Sequence, residues 1–222
     1  MKRMKVRLTF LTPALGTCSA NPEIHREFVA SKAATKQAMD EEVESLENID
    51  PEEEFEKSMT IFPQLDDGTL FIWDYQIRGA LKSAASALKR CAGEDFAKAT
   101  NKLKAHKKIV DTCIFCEPRK IPIDTHGGEV TYLQRPLRAE TPQGSRVALA
   151  TSQAIPVGST VTFEIICLSD SYEDAVREWL DYGKWVGLLQ WRGSGGYGRY
   201  AYEILDDAGN VIGGNKGYIE VA

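Results

Sequence analysis

The stretch that most constrains this fold is the run WVGLLQWRGSGGYGRY at residues 185–200, which holds five glycines, two arginines and four aromatic residues. Before it, Tyr172, Ala175, Val176, Trp179, Leu180 and Trp185 recur at helical spacing, which predicts an amphipathic helix. After it, residues 200–205 (YAYEIL) alternate and read as a strand. So much glycine ends the helix and frees the backbone for a close approach. Such a loop brings bare N–H groups near a bound phosphate. Arg192 and Arg199 at its rims supply charge, and Trp191, Tyr197 and Tyr200 supply flat surfaces for bases. The plainer alternative is a tight turn between a helix and a strand.

The rest of the chain supplies the elements this loop joins. Residues 5–12 alternate and stop at Pro13, which predicts a first strand with Val6, Leu8 and Phe10 on one face. A helix is expected over 22–36, capped by Asn21 or Ser19 with Pro22 in its first turn. Residues 58–63 and 69–73 read as strands joined by a turn at Leu65-Asp66-Asp67-Gly68. Ile77, Leu81, Ala84, Ala85 and Leu88 mark a helix over 74–90, rich in alanine. A shorter helix is expected over 96–104, and residues 108–115 read as a strand. Residues 119–153 read as strands and long loops, and 160–168 as a further strand after the turn at Pro156-Val157-Gly158-Ser159. Asp170 or Ser171 is expected to cap the last helix. A turn at residues 206–210 leads to a short return strand at Val211-Ile212. Strand, helix, strands, helix and strand in this order predict an α+β chain with an antiparallel, ferredoxin-like (RRM-like) sheet and helices on one face. The chain reads as a single domain, 1–222, with a helical, acidic insertion over 19–57.

The net charge of −5 argues against a nucleic-acid binder until its distribution is read. Residues 38–57 hold ten Asp and Glu against one Lys, and the remainder carries 26 basic against 22 acidic residues. Residues 76–120 hold eleven basic residues against four acidic ones, an excess that favours an anionic partner. The bland alternative is a solvated helix surface. No apolar run is long enough to span a bilayer, and the basic start is followed by alternation, not by a continuous apolar stretch. The expectation is a cytoplasmic protein with no membrane partner. Five cysteines, an odd number, suit free thiols. Cys113-x-x-Cys116 is half of a zinc motif without its other half, so no metal and no cofactor is expected.

Two runs resemble a known family. The loop Gly193-Ser194-Gly195-Gly196-Tyr197-Gly198-Arg199 is similar to the C-terminal glycine-rich loop of the RAMP superfamily, the RNA-binding and RNA-processing proteins of CRISPR systems. There the loop joins the last helix of a ferredoxin-like domain to its last strand. Ile77-Arg78-Gly79-Ala80-Leu81-Lys82 resembles the family's I-P-G-S-S-L-K-G-A-L-R-like run, with Asp74-Tyr75-Gln76 in place of its Pro-Gly-Ser. The resemblance implies RNA contact near the start of this helix. Independently, a helix N-terminus attracts phosphate, and Arg78 and Lys82 stand one turn apart. The nucleic-acid contacts expected are Arg78, Lys82 and the loop residues Trp191, Arg192, Gly193, Ser194, Gly195, Gly196, Tyr197, Gly198 and Arg199. The size and the acidic insertion suit a stand-alone phage or prophage relative.

Three readings stand. The first is non-catalytic binding of single-stranded RNA or DNA, RNA favoured, as a homo-oligomer or within a CRISPR-type protein assembly. The second is a metal-independent endoribonuclease, whose candidate bases are His25 and His126. The third is a protein that docks on another protein. No Walker loop, H-E-x-x-H or G-x-S-x-G motif occurs.

Overall fold

The computed structural model describes residues 1–19, 59–91, 93–141, 144–188 and 195–215. The acidic stretch from residue 20 to 57, with the helix expected over 22–36, lies outside them. The strands are β1 (Lys2–Phe10), β2 (Ala14–Leu15), β3 (Cys18–Ser19), β4 (Thr60–Ile61), β5 (Phe71–Trp73), β6 (Ile114–Glu117), β7 (Lys120–Asp124), β8 (Thr131–Thr141), β9 (Gly144–Ile155), β10 (Thr160–Cys167), β11 (Tyr200–Leu205) and β12 (Val211–Gly214). The helices are α1 (Asp74–Leu88), α2 (Lys98–Lys102), α3 (His106–Cys113) and α4 (Glu173–Val186).

The chain divides into two compact units, one of Met1–Ala14, Ile72–Gly128 and Pro156–Ala222, the other of Leu15–Phe71 and Glu129–Ile155. The first is a mixed α+β body. Its strands run β12-β11-β1-β10-β7-β5, with β6 also on β10. The pairs β1–β10, β1–β11, β10–β6 and β10–β7 are all antiparallel. Alternation along β1 buries Met4, Val6, Leu8 and Phe10 and leaves Arg3, Lys5, Arg7 and Thr9 on the opposite face. α1 and α4 pack on each other and reach the sheet at β6 and β11. Their buried sides are Ile77, Leu81, Ala84, Ala85 and Leu88, and Ala175, Val176, Trp179 and Leu180. Alanine and glycine permit close approach. At Gly183 an added Cβ would fall 1.9 Å from the Tyr200 ring, so α4 lies directly on β11.

The second unit is a sheet of order β2-β9-β4-β3 with β8 on β9. β8 and β9 form one long hairpin, in register from Thr131 opposite Ala154 to Thr141 opposite Gly144. β4 joins β9 in parallel at Thr60 and Ser152, whose hydroxyls lie 2.7 Å apart. The expected turn after residue 63 is present. Gly68 N–H donates to Leu65 O at 2.8 Å, and Thr69 N–H to Asp67 Oδ1 at 2.9 Å.

One expectation is overturned. Residues 108–113 are not strand but the body of α3, and β6 begins only at Ile114. The β-branched pair Ile109-Val110 favours a strand locally. Packing decides otherwise: Val110 is fully buried, and α3 lies along α1. The N-cap of the last helix is Tyr172, with no side-chain cap bond, and not Asp170 or Ser171; a separate cap lies before it. Ser169 Oγ accepts from Ser171 N–H at 3.3 Å, opening a 3-10 turn (Asp170–Tyr172) that runs into α4. Among the described residues no helix is long and apolar enough to cross a membrane.

Candidate nucleic-acid interface

α1 begins where Gln76 Oε1 accepts the Trp73 N–H at 2.9 Å, turning the chain out of β5. Beyond that turn its outward side carries Arg78, Lys82, Ser83 and Ser86, and Arg90 follows just past its end. Arg78 and Lys82 both lean on the last turn of α3. Arg78 Nη2 donates to Asp111 O at 2.9 Å, with its guanidinium carbon 5.6 Å from the centre of the Phe115 ring. Lys82 Nζ pairs with Asp111 Oδ2 at 2.5 Å. Both partners of that pair are half-exposed, so it stabilises the fold by no more than about 1 kcal/mol and yields readily to a competing anion.

Between α1 and the start of α3 lies a groove of about 400 Å³ lined by Lys82, Ser83, Ser86, Ala87, Arg90 and Lys107. Three cations and two hydroxyls face one hollow that no carboxylate lines. Arg90 and Lys107 are exposed, with no ion pair among the described residues. His106 stands beside them, its Nε2 3.4 Å from Ser86 Oγ. Burial, then the charges of Lys107 and Lys89, hold its pKa below the usual histidine range, so the ring adds no charge at neutral pH. Lys89 turns away and donates to Asn101 O at 2.6 Å. Lys82 is expected at the site from sequence, whereas Arg90 and Lys107 are brought to it by the fold. The signal was the four-residue spacing of Lys82, Ser86 and Arg90, which sets them on one helix face.

A clasp joins α4 to α2. Glu178 of α4 receives Ala99 N–H at 2.6 Å, Thr100 N–H at 2.8 Å and Thr100 Oγ1 at 2.6 Å, fixing the N-terminus of α2. Trp179 Nε1 donates to the same Thr100 hydroxyl at 2.9 Å. Both Trp179 and Thr100 are fully buried.

The glycine loop differs from its expected form. Trp191, Arg192, Gly193 and Ser194 lie outside the described residues. Gly195, Gly196, Tyr197, Gly198 and Arg199 are described, and this part of the loop is tied to the end of β1. Gly198 N–H donates to Pro13 O at 2.9 Å, and Arg199 N–H to Thr12 Oγ1 at 2.9 Å. Thr12 Oγ1 donates in turn to Gly196 O at 2.8 Å, and Leu11 N–H to Arg199 O at 2.7 Å. The amides of Gly198 and Arg199 are therefore engaged inside the protein, not bare. Glycine is required here by contact as well as conformation. Gly187 and Gly198 have φ of 63° and 65°, and a Cβ on Gly187 would come within 2.3 Å of the Gly198 backbone. Tyr197 and Tyr200, expected to offer rings to bases, are 8% and 2% exposed and face the interior instead. Arg199 is half-exposed, and its Nε donates to Lys184 O at 2.6 Å, closing the C-terminal turn of α4.

Of the candidate bases, His25 lies outside the described residues. His126 is exposed in a turn with φ of 51°. Its backbone N–H donates to Asp124 Oδ1 at 2.8 Å and its Nδ1 lies 3.2 Å from Asp124 Oδ2. Its Nε2 lies 3.1 Å from Thr160 Oγ1. The five cysteines are free thiols. Burial pushes Cys116 up to about 12 and Cys167 up to about 11, so both are protonated and inert as nucleophiles. No group of three His, Cys, Asp or Glu side chains fit to hold a metal occurs among the described residues.

The other face of the sheet offers a larger hollow, of about 590 Å³, near Arg3, Lys5, Glu117, Thr162 and Glu164. Its charges cancel. Arg3 reaches Glu117 at 3.2 Å and Glu164 at 2.8 Å, and Arg7 beside it is held by Glu203. In the α1–α3 groove, by contrast, Arg90 and Lys107 have no ion pair among the described residues, and Lys82 has one, with Asp111.

Comparison with known proteins gives no matching family model, and no curated protein matches. Among solved structures, a chain of a cryo-EM structure of the Type III-B Cmr-beta bound to cognate target RNA is similar, with a TM-score of 0.46 and 13% identity. The match covers 92% of this chain, which spans 60% of the length of that one.

Proposed function

We propose that this protein binds single-stranded nucleic acid, RNA in preference to DNA, without cutting it. The observation that carries the reading is the α1–α3 groove. Lys82, Arg90 and Lys107 converge on one hollow of about 400 Å³, with the hydroxyl of Ser83 to donate to a phosphate oxygen, while the Ser86 hydroxyl already donates to Lys82 O at 2.9 Å. Arg78 lies one turn toward the helix start and extends the cationic track. The strand order β11-β1-β10-β6, with α1 and α4 as the two helices, supports a ferredoxin-like reading of the first unit. The preference for RNA, and a place in a homo-oligomer or CRISPR-type protein assembly, rest on the resemblance of the glycine loop to that of RAMP proteins. The same resemblance adds Arg192 and Arg199 as candidate contacts for the strand.

The test is fluorescence anisotropy with labelled single-stranded RNA and DNA at low salt. Arg90→Ala with Lys107→Ala is expected to weaken RNA binding about tenfold or more, by loss of two phosphate contacts. Circular dichroism is expected to be unchanged, since both side chains are exposed. Equal affinity in the double variant removes the groove from the site.

A second reading, metal-independent ribonuclease activity, is favoured by the Asp124–His126–Thr160 chain. A carboxylate on Nδ1 fixes the ring tautomer and leaves Nε2 as the basic nitrogen. RNA cleavage in EDTA that is lost in His126→Ala supports this reading. RNA that remains intact leaves binding as the function.

A further inference from the structure

We infer that His106 is a proton-linked contact of the α1–α3 groove, a ring that takes a proton from solvent when a phosphate of the strand enters and then acts as a fourth cation. The inference rests on the proposed single-strand binding and adds how that site responds to pH. His106 opens α3 and is half-buried beside the groove, next in sequence to Lys107 of its lining. Its Nε2 lies 3.4 Å from Oγ of Ser86, another lining residue. That hydroxyl donates to Lys82 O at 2.9 Å, so toward the imidazole it accepts. The hydrogen-bond network therefore assigns the neutral ring's hydrogen to Nε2. Nδ1, with no hydrogen-bond partner among the described residues, is the atom that takes the proton.

The charges around the ring decide the direction of the effect. In the unbound protein burial, then the charges of Lys107 on its own helix and of Lys89 just past the end of α1, keep the ring uncharged at neutral pH. The carboxylates of the two helices are Asp74, at the far end of α1, and Asp111, which is paired with Lys82. α2 carries lysines and no acid, and Glu94 and Asp95 before it are exposed. A phosphate held by Lys82, Arg90 and Lys107 leaves the burial as it is. It offsets the repulsion from Lys107 and adds an attraction of its own. The imidazolium is then favoured more in the complex than in the unbound protein. The complex holds more protons, so affinity rises as pH falls through the range in which the ring titrates. The lysines and arginine of the groove titrate far above that range, which leaves His106 as the groove's titrating group.

The experiment follows the anisotropy of a labelled oligouridylate with the full chain, from about pH 7.5 to about pH 5.5 at fixed salt. The oligonucleotide carries no terminal phosphate, whose second ionisation falls in this range. Neither uracil nor a phosphodiester titrates there, so a change reports the protein. The parent is expected to bind about threefold to tenfold tighter at the acid end. His106→Gln, whose amide N–H can still donate to Ser86 Oγ, is expected to lose that gain. His106→Lys fixes a charge at the position. It is expected to bind at the neutral end about as tightly as the parent does at the acid end, with little further change. Calorimetry in buffers of different ionisation heat is expected to show proton uptake on binding in the parent and not in either variant. Affinity in the parent that is independent of pH, or a gain that persists undiminished in His106→Gln, overturns the inference and leaves the groove reading in place. So does His106→Lys binding no tighter than the parent at the neutral end. A parent that fails to bind the oligonucleotide at any pH overturns both readings together.

Discussion

Asp74 shows how local chemistry is set by its surroundings. Its Oδ1 is buried without a hydrogen-bond partner. Burial raises its pKa above the ordinary aspartate value, against the opposing pull of the Tyr75 N–H and of the Arg119 and Arg78 charges. A raised folded pKa means that the ionised form is favoured in the unfolded chain. The folded state is therefore favoured below the ordinary aspartate range, near about 3.9, and loses stability as pH rises through the folded pKa. Asp74→Asn is expected to melt higher than the parent at neutral pH, with the gap closing as the pH falls to the acid range. A gap independent of pH contradicts this account. Two glycines give a steric test at the same scale. Gly183→Ala drives a methyl into the buried Tyr200 ring and is expected to cost about 1–3 kcal/mol by urea denaturation. Gly187→Ala forces a left-handed φ on a residue packed against Gly198, with an expected loss of more than about 1 kcal/mol. Unchanged stability in either variant means the close contact at that glycine is not as described.

Elements bring together what residues alone do not disclose. The inward faces of β1, α1 and β10 were legible because each repeats its apolar residues at its own period; on α4 Ala175, Val176, Trp179 and Leu180 are buried as expected, but Trp185, expected on the same stripe, is exposed. The strand expected over 108–115 was misread because Ile109-Val110 carries a local β preference that packing of α3 on α1 overrides. Only the fold sets Asp111 opposite both Arg78 and Lys82. The loop shows the same limit. Its glycines announced a close backbone approach, and one exists. Its partner, though, is the end of β1, more than 180 residues away, in bonds such as Thr12 Oγ1 to Gly196 O, so no local pattern could separate a bare phosphate cradle from an internal clasp. The Glu178 clasp on α2 was likewise silent in sequence, where a glutamate on a helix reads as solvated. Glu178→Gln keeps the shape but replaces one accepting oxygen by a donor facing N–H and O–H groups. It is expected to cost about 1–3 kcal/mol in urea denaturation and to leave α1 intact. A variant as stable as the parent shows that the clasp does not hold α2.

For the whole chain, charge is organised and not merely summed. An overall charge of −5 coexists with a segment, 76–120, in which cations outnumber anions by eleven to four. The structure concentrates part of that excess in one groove, while the arginines of the open sheet face are matched by glutamates. Such an arrangement predicts binding that depends on phosphate neutralisation more than on base sequence. The most direct measurement is the affinity for single-stranded RNA across a range of salt concentrations, in the parent and in the Arg90→Ala, Lys107→Ala double variant. For single strands each phosphate contact contributes a slope of about −0.7 in log affinity against log salt. The groove account predicts a steep negative slope in the parent, made shallower by about 1.4 in the double variant. A parent slope near zero, or one identical in the two proteins, contradicts it.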